Sequence, residues 1–460
     1  MSTALKQTGS ASDYSQSTAI IGMGKTGQAV ARYLIDQGLA CQGFDESATA
    51  SSELNIELHL GALNADVLKQ FSRLIVSPGV NWHHPALEAV RLADVPMYGD
   101  LELFGQRYQG DLIAITGTNG KTTTVTLIST MLDVLPGGIE AAGNIGRPML
   151  ELIDEVEPAR VVLELSSFQI ERANPIRPRW AALLNVQPDH ADMHTDMASY
   201  TEAKLRLFAK QAKGDKAMLP ADCEWDELAG SLRQRGVFVR RFGVGSANDL
   251  DAGVQCHDDG SWQVFWHHYD DCHTVKSDDL PARGMHQHLN LAVAAQAAAD
   301  YGLTASVIRQ SLTSFRGLPH RLQSLGLVDG REWFNDSKAT NPDAAKAALK
   351  SFHQVIWICG GLRKGLDVAP LMDAVSHHVE YMFIIGTDVK PFTELADLAG
   401  VSYKFVKTIQ QAVKQAAQMQ SGVPVLFSPA AASQDQFKNY MQRGDAFMVA
   451  VAALEDEAKR

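Results

Sequence analysis

The chain is poor in cysteine and contains no Cys-x-x-Cys pair. Its five cysteines, Cys41, Cys223, Cys256, Cys272 and Cys359, are scattered and odd in number. That pattern excludes a disulfide framework or a cysteine-built zinc site and fits free thiols in a reducing compartment. Long apolar runs are also missing. No stretch approaches the roughly 18 to 20 apolar residues needed to span a bilayer, and the polar residues 1–17 lack an apolar signal core. The expectation is a cytoplasmic protein with a frayed N-terminus and no membrane insertion. Positive charge is not in excess either: 41 Lys and Arg stand against 53 Asp and Glu, a net charge of -12. Nucleic acid and anionic membrane are therefore disfavoured as main partners, and any anionic ligand has to be held by a local device.

The chain is long and apolar enough, at 460 residues and 45% hydrophobic, to bury two or three domain-sized cores. Three segments each begin with a strand feeding a glycine turn, the signature of α/β units with mainly parallel sheets. In the first, Ala19-Ile20-Ile21 enters Gly22-Met23-Gly24-Lys25-Thr26-Gly27. A helix to about Gln37 follows, then a strand ending at Asp45. This satisfies Gly-x-Gly-x-x-Gly with an acidic residue near dinucleotide-binding spacing. Another strand, Arg73 to Val76, ends in Ser77-Pro78-Gly79. The third segment, after Leu318-Pro319-His320-Arg321, has short apolar strands ending at Gly360-Gly361, Gly386 and Ser428-Pro429, which suggests a second Rossmann-like sheet. Residues 221–280 are weakly periodic and read as peripheral strands and loops of the middle unit.

The second segment opens with the most specific signal, Leu112-Ile113-Ala114-Ile115-Thr116-Gly117-Thr118-Asn119-Gly120-Lys121-Thr122-Thr123. An apolar β-branched run delivers a Gly-Lys-Thr turn into a helix expected over residues 123–135. Glycines let backbone amides approach phosphate oxygens, Lys121 adds a compact charge, Thr122 can bind Mg²⁺, and a helix N-terminus favours anions. Only Thr118 and Asn119 separate Gly117 from Gly120, so the loop is a shortened variant. The ordinary alternative is a plain strand-to-helix turn.

Other residues arrive at the same kind of strand end. Glu164 lies inside the apolar run Val161 to Leu165, and burying a carboxylate is costly unless it is paired or metal-bound; a strand-end Glu satisfied by amides or a lysine is the alternative. A second apolar strand, Ala181 to Val186, ends at Gln187-Pro188-Asp189-His190. Lys204 has helical spacing beside an apolar stripe, where a lysine is usually a solvated face residue. Asn341 can cap a helix with Pro342 at its first position, a start that either serves structure alone or offers amides to an anion.

Taken together, the chain resembles the Mur ligase family, in the branch that adds D-glutamate. The resemblance rests on residues 116–122, Gly143-Asn144-Ile145-Gly146, Leu163-Glu164-Leu165-Ser166-Ser167-Phe168-Gln169, Asp189-His190, Ala203-Lys204-Leu205-Arg206, Leu318-Pro319-His320-Arg321, Asn335-Asp336-Ser337-Lys338-Ala339-Thr340-Asn341 and residues 428–440, in family order across nearly the whole chain. It implies an α/β fold in three domains: a Rossmann-like UDP-substrate domain (1–98), a central P-loop ATPase domain (99–317) and a Rossmann-like amino-acid domain (318–460). It implies that Gly117, Thr118, Asn119, Gly120, Lys121, Thr122 and Thr123 hold ATP with Asn290, Arg321 and Asp336. Thr122 would bind a first Mg²⁺, and Glu164, His190 and a carbamylated Lys204 a second. Lys25, Thr26, Asp45, Ser77, Gly79 and Asn144 would hold the UDP end of the substrate, Ser166 and Gln169 its acyl end, and Thr340, Lys364, Ser433 and Tyr440 would receive D-glutamate. The chain departs from the family pattern at Gln287, where an asparagine is usual, and at Leu362.

The implied activity is ATP-dependent joining of D-glutamate to UDP-N-acetylmuramoyl-L-alanine by a monomer in peptidoglycan precursor synthesis. The substrate carboxylate takes the ATP γ-phosphate, and the resulting acyl phosphate is attacked by the amine, with closure of the last domain excluding water. The nearest rival is a sister Mur ligase adding another amino acid, although the diaminopimelate-recognising Asp-Asn-Pro-Arg is absent. Folylpolyglutamate synthases place the phosphate loop closer to the N-terminus. A nicotinamide-linked oxidoreductase leaves the Gly-Lys-Thr loop unexplained, and a regulatory P-loop switch would not require an amino acid.

Overall fold

The computed structural model describes residues 17–153, 157–188, 196–328 and 330–458. The N-terminal stretch expected to fray lies almost wholly outside them. Three sheets follow one another along the chain. The first has strands β1 (Thr18–Ile21), β2 (Cys41–Asp45), β3 (Glu57–Leu60), β4 (Arg73–Val76) and β5 (Met97–Tyr98), all parallel in the order β3-β2-β1-β4-β5. The glycine turn after β1 is dictated by contact as much as by conformation: Gly22 has φ +87°, and a Cβ on Gly27 would stand 2.1 Å from the Gly22 carbonyl oxygen. Only glycine lets the helix Lys25–Asp36 start that close to the strand.

The middle sheet contains β6 (Asp111–Thr116), β7 (Ile139–Gly143), β8 (Arg160–Glu164), β9 (Trp180–Leu183), β10 (Lys216–Pro220), β11 (Phe238–Val244), β12 (Ala252–Cys256), β13 (Trp262–His268) and β14 (Asp271–Lys276). Its order is β14-β13-β12-β11-β10-β9-β6-β8-β7, parallel except where β13 pairs with β12 and β14. From β6 the chain runs to the edge at β7, returns to β8 and crosses to β9. The strand order therefore reverses around β6, and the carboxyl ends of β6, β8 and β9 open a crevice where ligands gather. The peripheral strands expected in residues 221–280 are β11 to β14, and a helix, Asp226–Gln234, joins them.

One apolar cluster runs from the first unit (Ile20, Val30, Leu34) into the middle one (Ala114, Leu163, Leu183). The second covers the opposite face, where the alanine-rich helix Met285–Asp300 lies against the helix Lys121–Leu132. That helix starts two residues earlier than expected, with left-handed Gly120 at its N-cap, and ends three residues earlier, with Asp133 at its C-cap.

The third sheet has β15 (Gln323–Val328), β16 (Arg331–Asn335), β17 (Val355–Gly360), β18 (Val379–Ile385), β19 (Ser402–Phe405) and β20 (Val425–Phe427), ordered β15-β16-β20-β17-β18-β19. Only β15 is antiparallel. Among the described residues no helix is long and apolar enough to cross a membrane.

Candidate active site

The loop between β6 and the helix Lys121–Leu132 is glycine by necessity at both ends. Gly117 has φ +150° and Gly120 φ +86°, and a Cβ at Gly120 would fall 2.3 Å from Asn290 Oδ1. The Lys121 amine folds over the loop and donates to the carbonyls of Gly117 (2.7 Å) and Thr118 (2.8 Å). From below, Asn185 Oδ1 accepts from the amides of Thr118 (3.1 Å) and Asn119 (2.8 Å), while its Nδ2 donates to the Asn119 carbonyl. Thr118 Oγ1 accepts from the Gln187 amide at 3.0 Å. The end of β9 thus fixes the loop's first half, and Gly120 to Thr123 line an open cavity of about 860 Å³. Orphan amides of a helix start exposed in this way suit an anion.

Glu164, the last residue of β8, is 2% exposed and stands in register with Ile115 and Gly143. Its Oε1 accepts from Asn144 Nδ2 at 3.1 Å, but its buried Oε2 has no hydrogen-bond partner among the described residues. A half-satisfied buried carboxylate beside a phosphate loop fits a hard, oxygen-seeking cation such as Mg²⁺, which takes one or two carboxylates and fills its remaining positions from phosphates and water. Lys204 corrects its ordinary reading. It is 1% exposed rather than solvated, because the helix Met197–Leu205 lays this side against the loop. Its amine donates to the Gly117 carbonyl at 3.1 Å and sits 4.2 Å from the centre of the Tyr200 ring. His190 and Asp189 lie outside the described residues.

The third unit supplies the opposite wall. Arg321 Nη2 donates to Thr122 Oγ1 at 2.6 Å, tying the start of this unit to the phosphate loop. Burial lowers the Arg321 pKa, and the charges of Glu164, Tyr440 and Asp336 oppose that shift. Asp336 accepts from the Leu322 amide (3.0 Å) and from Ser428 Oγ (2.8 Å), and burial raises its carboxyl to about 7 despite these bonds. Thr340 and Lys364 line the same cavity, and Asn341 caps the helix Pro342–Leu349 through the Ala344 amide. Ser433 and Tyr440 are not among the lining residues. Ser433 is buried next to Ala432, and the Tyr440 ring carries the Lys338 amine at 4.4 Å. The cavity also holds residues to which sequence reasoning gave no role: Asn185, Lys338, and His286, whose pKa burial and the nearby His288 push down to about 4. For Asn185 a signal existed, since a lone amide closing an apolar strand beside the loop strand is unusual.

A second cavity of about 440 Å³ gathers Lys25, Thr26, Asp45, Ser77 and Gly79 at the mouth of the first sheet. Asp45 accepts from the amides of Met23 (2.7 Å) and Ser47 (2.9 Å), and Ser77 Oγ donates to the Gly22 carbonyl. These bonds shape the turn. Ser166 and Gln169 line neither of these cavities. They form a reciprocal capping box at the start of the helix Ser167–Glu171, with the Gln169 amide bonded to Ser166 Oγ and the Ser166 amide to Gln169 Oε1.

Comparison with known proteins agrees with this architecture. Family models described as Mur ligase MurD-like N-terminal domain, Mur ligase middle domain, and Mur ligase glutamate ligase domain match residues 16–99, 115–298 and 320–431. The chain is 38% identical over 451 residues to the UDP-N-acetylmuramoylalanine–D-glutamate ligase of Hahella chejuensis, covering 95% of this chain and 98% of the relative. It is 35% identical to the enzyme of the same name from Myxococcus xanthus, covering 95% and 98%. Among solved structures, the UDP-N-acetylmuramate-alanine ligase MurC of Thermotoga maritima superposes with a TM-score of 0.59 at 18% identity, covering 95% of this chain and 99% of that one. MurF ligase from the same organism, in complex with ADP, gives 0.58 at 18%, covering 95% of each chain. With a phosphate loop at a sheet reversal, a third unit bonded to it, and close relatives matched end to end, the chain belongs to the Mur ligase family.

Proposed function

We propose that this protein is an ATP-dependent ligase that joins D-glutamate to UDP-N-acetylmuramoyl-L-alanine through an acyl phosphate, in peptidoglycan precursor synthesis. The observation that carries the reading is the cavity in which the phosphate loop, the half-satisfied Glu164 and Arg321 converge, in a chain whose curated relatives are named for that reaction. We assign residues 1–98 to the sugar nucleotide, 99–317 to ATP and 318–460 to the amino acid, and the protein to the cytoplasm as a monomer acting on small molecules.

Most of these residues' parts follow from their positions. The amides of Gly120 to Thr123 and the Lys121 amine hold the β- and γ-phosphates. To do so Lys121 leaves the carbonyls of Gly117 and Thr118, exchanging two neutral acceptors for an anion. Asn290 and Asp336 border the nucleotide, and Arg321, already on Thr122, places charge where it develops on the transferring group. Thr122 would hold a first Mg²⁺, and Glu164, His190 and a carbamylated Lys204 a second; bound there, Mg²⁺ would supply Lewis-acid neutralisation of phosphate charge. Lys25, Thr26, Asp45, Ser77 and Gly79 hold the sugar nucleotide from the walls of the first unit's cavity. Asn144, which lines the phosphate-loop cavity beside Glu164, and Ser166 and Gln169, which line neither cavity, are assigned to the UDP end and the acyl end of this substrate by the family resemblance alone. Thr340 and Lys364 meet the incoming amino acid from the cavity wall, and Ser433 and Tyr440, outside that lining, are assigned to it by the family resemblance alone.

Phosphate release with the muramoyl-alanine nucleotide and ATP, compared across D-glutamate, L-alanine and diaminopimelate, tests the reading. Release that requires D-glutamate supports it. Release that prefers another amino acid points to a sister ligase, and release that needs no amino acid refutes ligation.

A further inference from the structure

Arg172 is buried at 2% exposure, yet it lines neither cavity and takes no part in the chemistry above. It follows the helix Ser167–Glu171, eight residues after Glu164 in the chain. Its guanidinium leaves the middle unit and crosses to the first one, where Nη1 donates to the Ser77 carbonyl (2.8 Å) and Nη2 to the Val80 carbonyl (2.9 Å). The same guanidinium lies 5.1 Å from the centre of the Trp82 ring, which Arg91 also approaches at 5.2 Å while donating to the Trp82 carbonyl. The backbone of Arg172 is engaged too: its carbonyl accepts from the Gly99 amide at 2.6 Å, in the link that follows β5. A Cβ on Gly99 would come within 3.1 Å of Arg172 Cβ, so the two backbones approach tightly here.

The segment thus grasped, Ser77 to Asn81, forms one wall of the 440 Å³ cavity. A surface turn would normally keep several shapes, and fixing two of its carbonyls with one rigid fork removes that freedom before the ligand arrives. Burying a guanidinium with its Nε unpartnered is costly, and the surrounding fold sustains that cost. Burial lowers its pKa to about 10, with Glu171 and Asp100 opposing, so it remains a cation at neutral pH.

We propose that Arg172 is a positioning residue for the sugar-nucleotide substrate: from the middle unit it holds the Ser77–Asn81 wall of the first unit's cavity in its binding shape. The proposal rests on the reading of that cavity as the UDP site. It acts on substrate capture and leaves ATP handling alone, because its guanidinium and carbonyl engage Ser77, Val80, Trp82 and Gly99, none of which lines the phosphate-loop cavity.

The test uses the full chain and the variants R172Q, R172K and W82F. Each is assayed for the KM of the muramoyl-alanine nucleotide, the KM of ATP, and kcat, and for calorimetric binding of UDP alone. R172Q is expected to raise the nucleotide-acid KM and weaken UDP binding by about tenfold or more, with kcat and the ATP KM within about twofold of wild type. R172K, whose single ammonium can serve one carbonyl but not the fork, should recover part of the loss, and W82F should give a smaller defect of the same kind. Should R172Q not fold, R172K decides by the same criteria. Unchanged UDP affinity in R172K and W82F, or a parallel fall in kcat and ATP affinity, overturns the proposal while leaving the assigned reaction standing. Wild-type protein that binds neither UDP nor the nucleotide acid overturns the assignment of the cavity itself, and this inference with it.

Discussion

Replacing Glu164 with glutamine should stabilise the resting protein while removing its activity. The wild-type carboxylate is 2% exposed, with Oε1 bonded to Asn144 Nδ2 and Oε2 unpartnered among the described residues. A buried charged oxygen without a partner costs about 1–3 kcal/mol. Glutamine keeps the shape and the Asn144 bond and exchanges the orphaned charge for a neutral amide. Against this stands the lost attraction to Arg321, whose pKa the Glu164 charge raises; with no direct ion pair joining these two described side chains, this longer-range attraction is worth about 1 kcal/mol. The net gain is on the order of 1 kcal/mol, or about 2–4 °C in Tm for a domain of this size. Thermal unfolding without divalent metal reads that gain. Adding MgATP should raise the wild-type Tm clearly and that of E164Q much less, and E164Q turnover should fall at least about a hundredfold. A Tm below wild type in metal-free buffer, or wild-type turnover, refutes the reasoning that this carboxylate is held at a cost for the sake of function.

Other perturbations have equally definite outcomes. Gly120→Ala forces a left-handed alanine and a clash with Asn290 Oδ1. It should cost roughly 2–4 kcal/mol in urea unfolding and abolish ATP binding by calorimetry. Arg321→Ala removes the 2.6 Å bond to Thr122. A charge-assisted bond worth about 1.5–3 kcal/mol implies a drop of about 10- to 150-fold in kcat/KM for ATP, with UDP binding unchanged. Asp336 has its carboxyl raised from 3.8 to about 7 by burial, so the folded state binds the proton more tightly than the unfolded one. Its contribution is fully present below pH ~4 and is lost as pH rises toward ~7, at about 1.36 kcal/mol per pKa unit. D336N should flatten the dependence of urea midpoint on pH across that window; an unchanged slope refutes the assignment.

What the sequence made legible is what is local. The glycine turn after β1, the strand-to-helix turn at Gly-Lys-Thr and the Asn341 cap are each set by residues within a few positions, and the structure shows all three turns, with the helix after Gly-Lys-Thr starting two residues early. What stayed hidden depends on elements far apart in the chain. Lys204 is buried because it meets Gly117 across 87 positions, Arg172 reaches Ser77 across 95, and Arg321 reaches Thr122 across 199. No periodicity encodes such meetings. The apolar stripe beside Lys204 could equally have left the amine in water, and only the docking of its helix on the loop decides. Ser166 and Gln169 illustrate the converse, since their spacing is also that of a capping box, and the structure gives them that role.

The central claim is that the substrate carboxylate takes the terminal phosphate of ATP at the Lys121 loop. Muramoyl-alanine nucleotide carrying heavy oxygen in its carboxylate, turned over with ATP and D-glutamate, tests this directly by mass analysis of the released phosphate. The account predicts one heavy oxygen transferred per phosphate and no transfer with K121A. Phosphate free of label, formed alongside amide product, contradicts it.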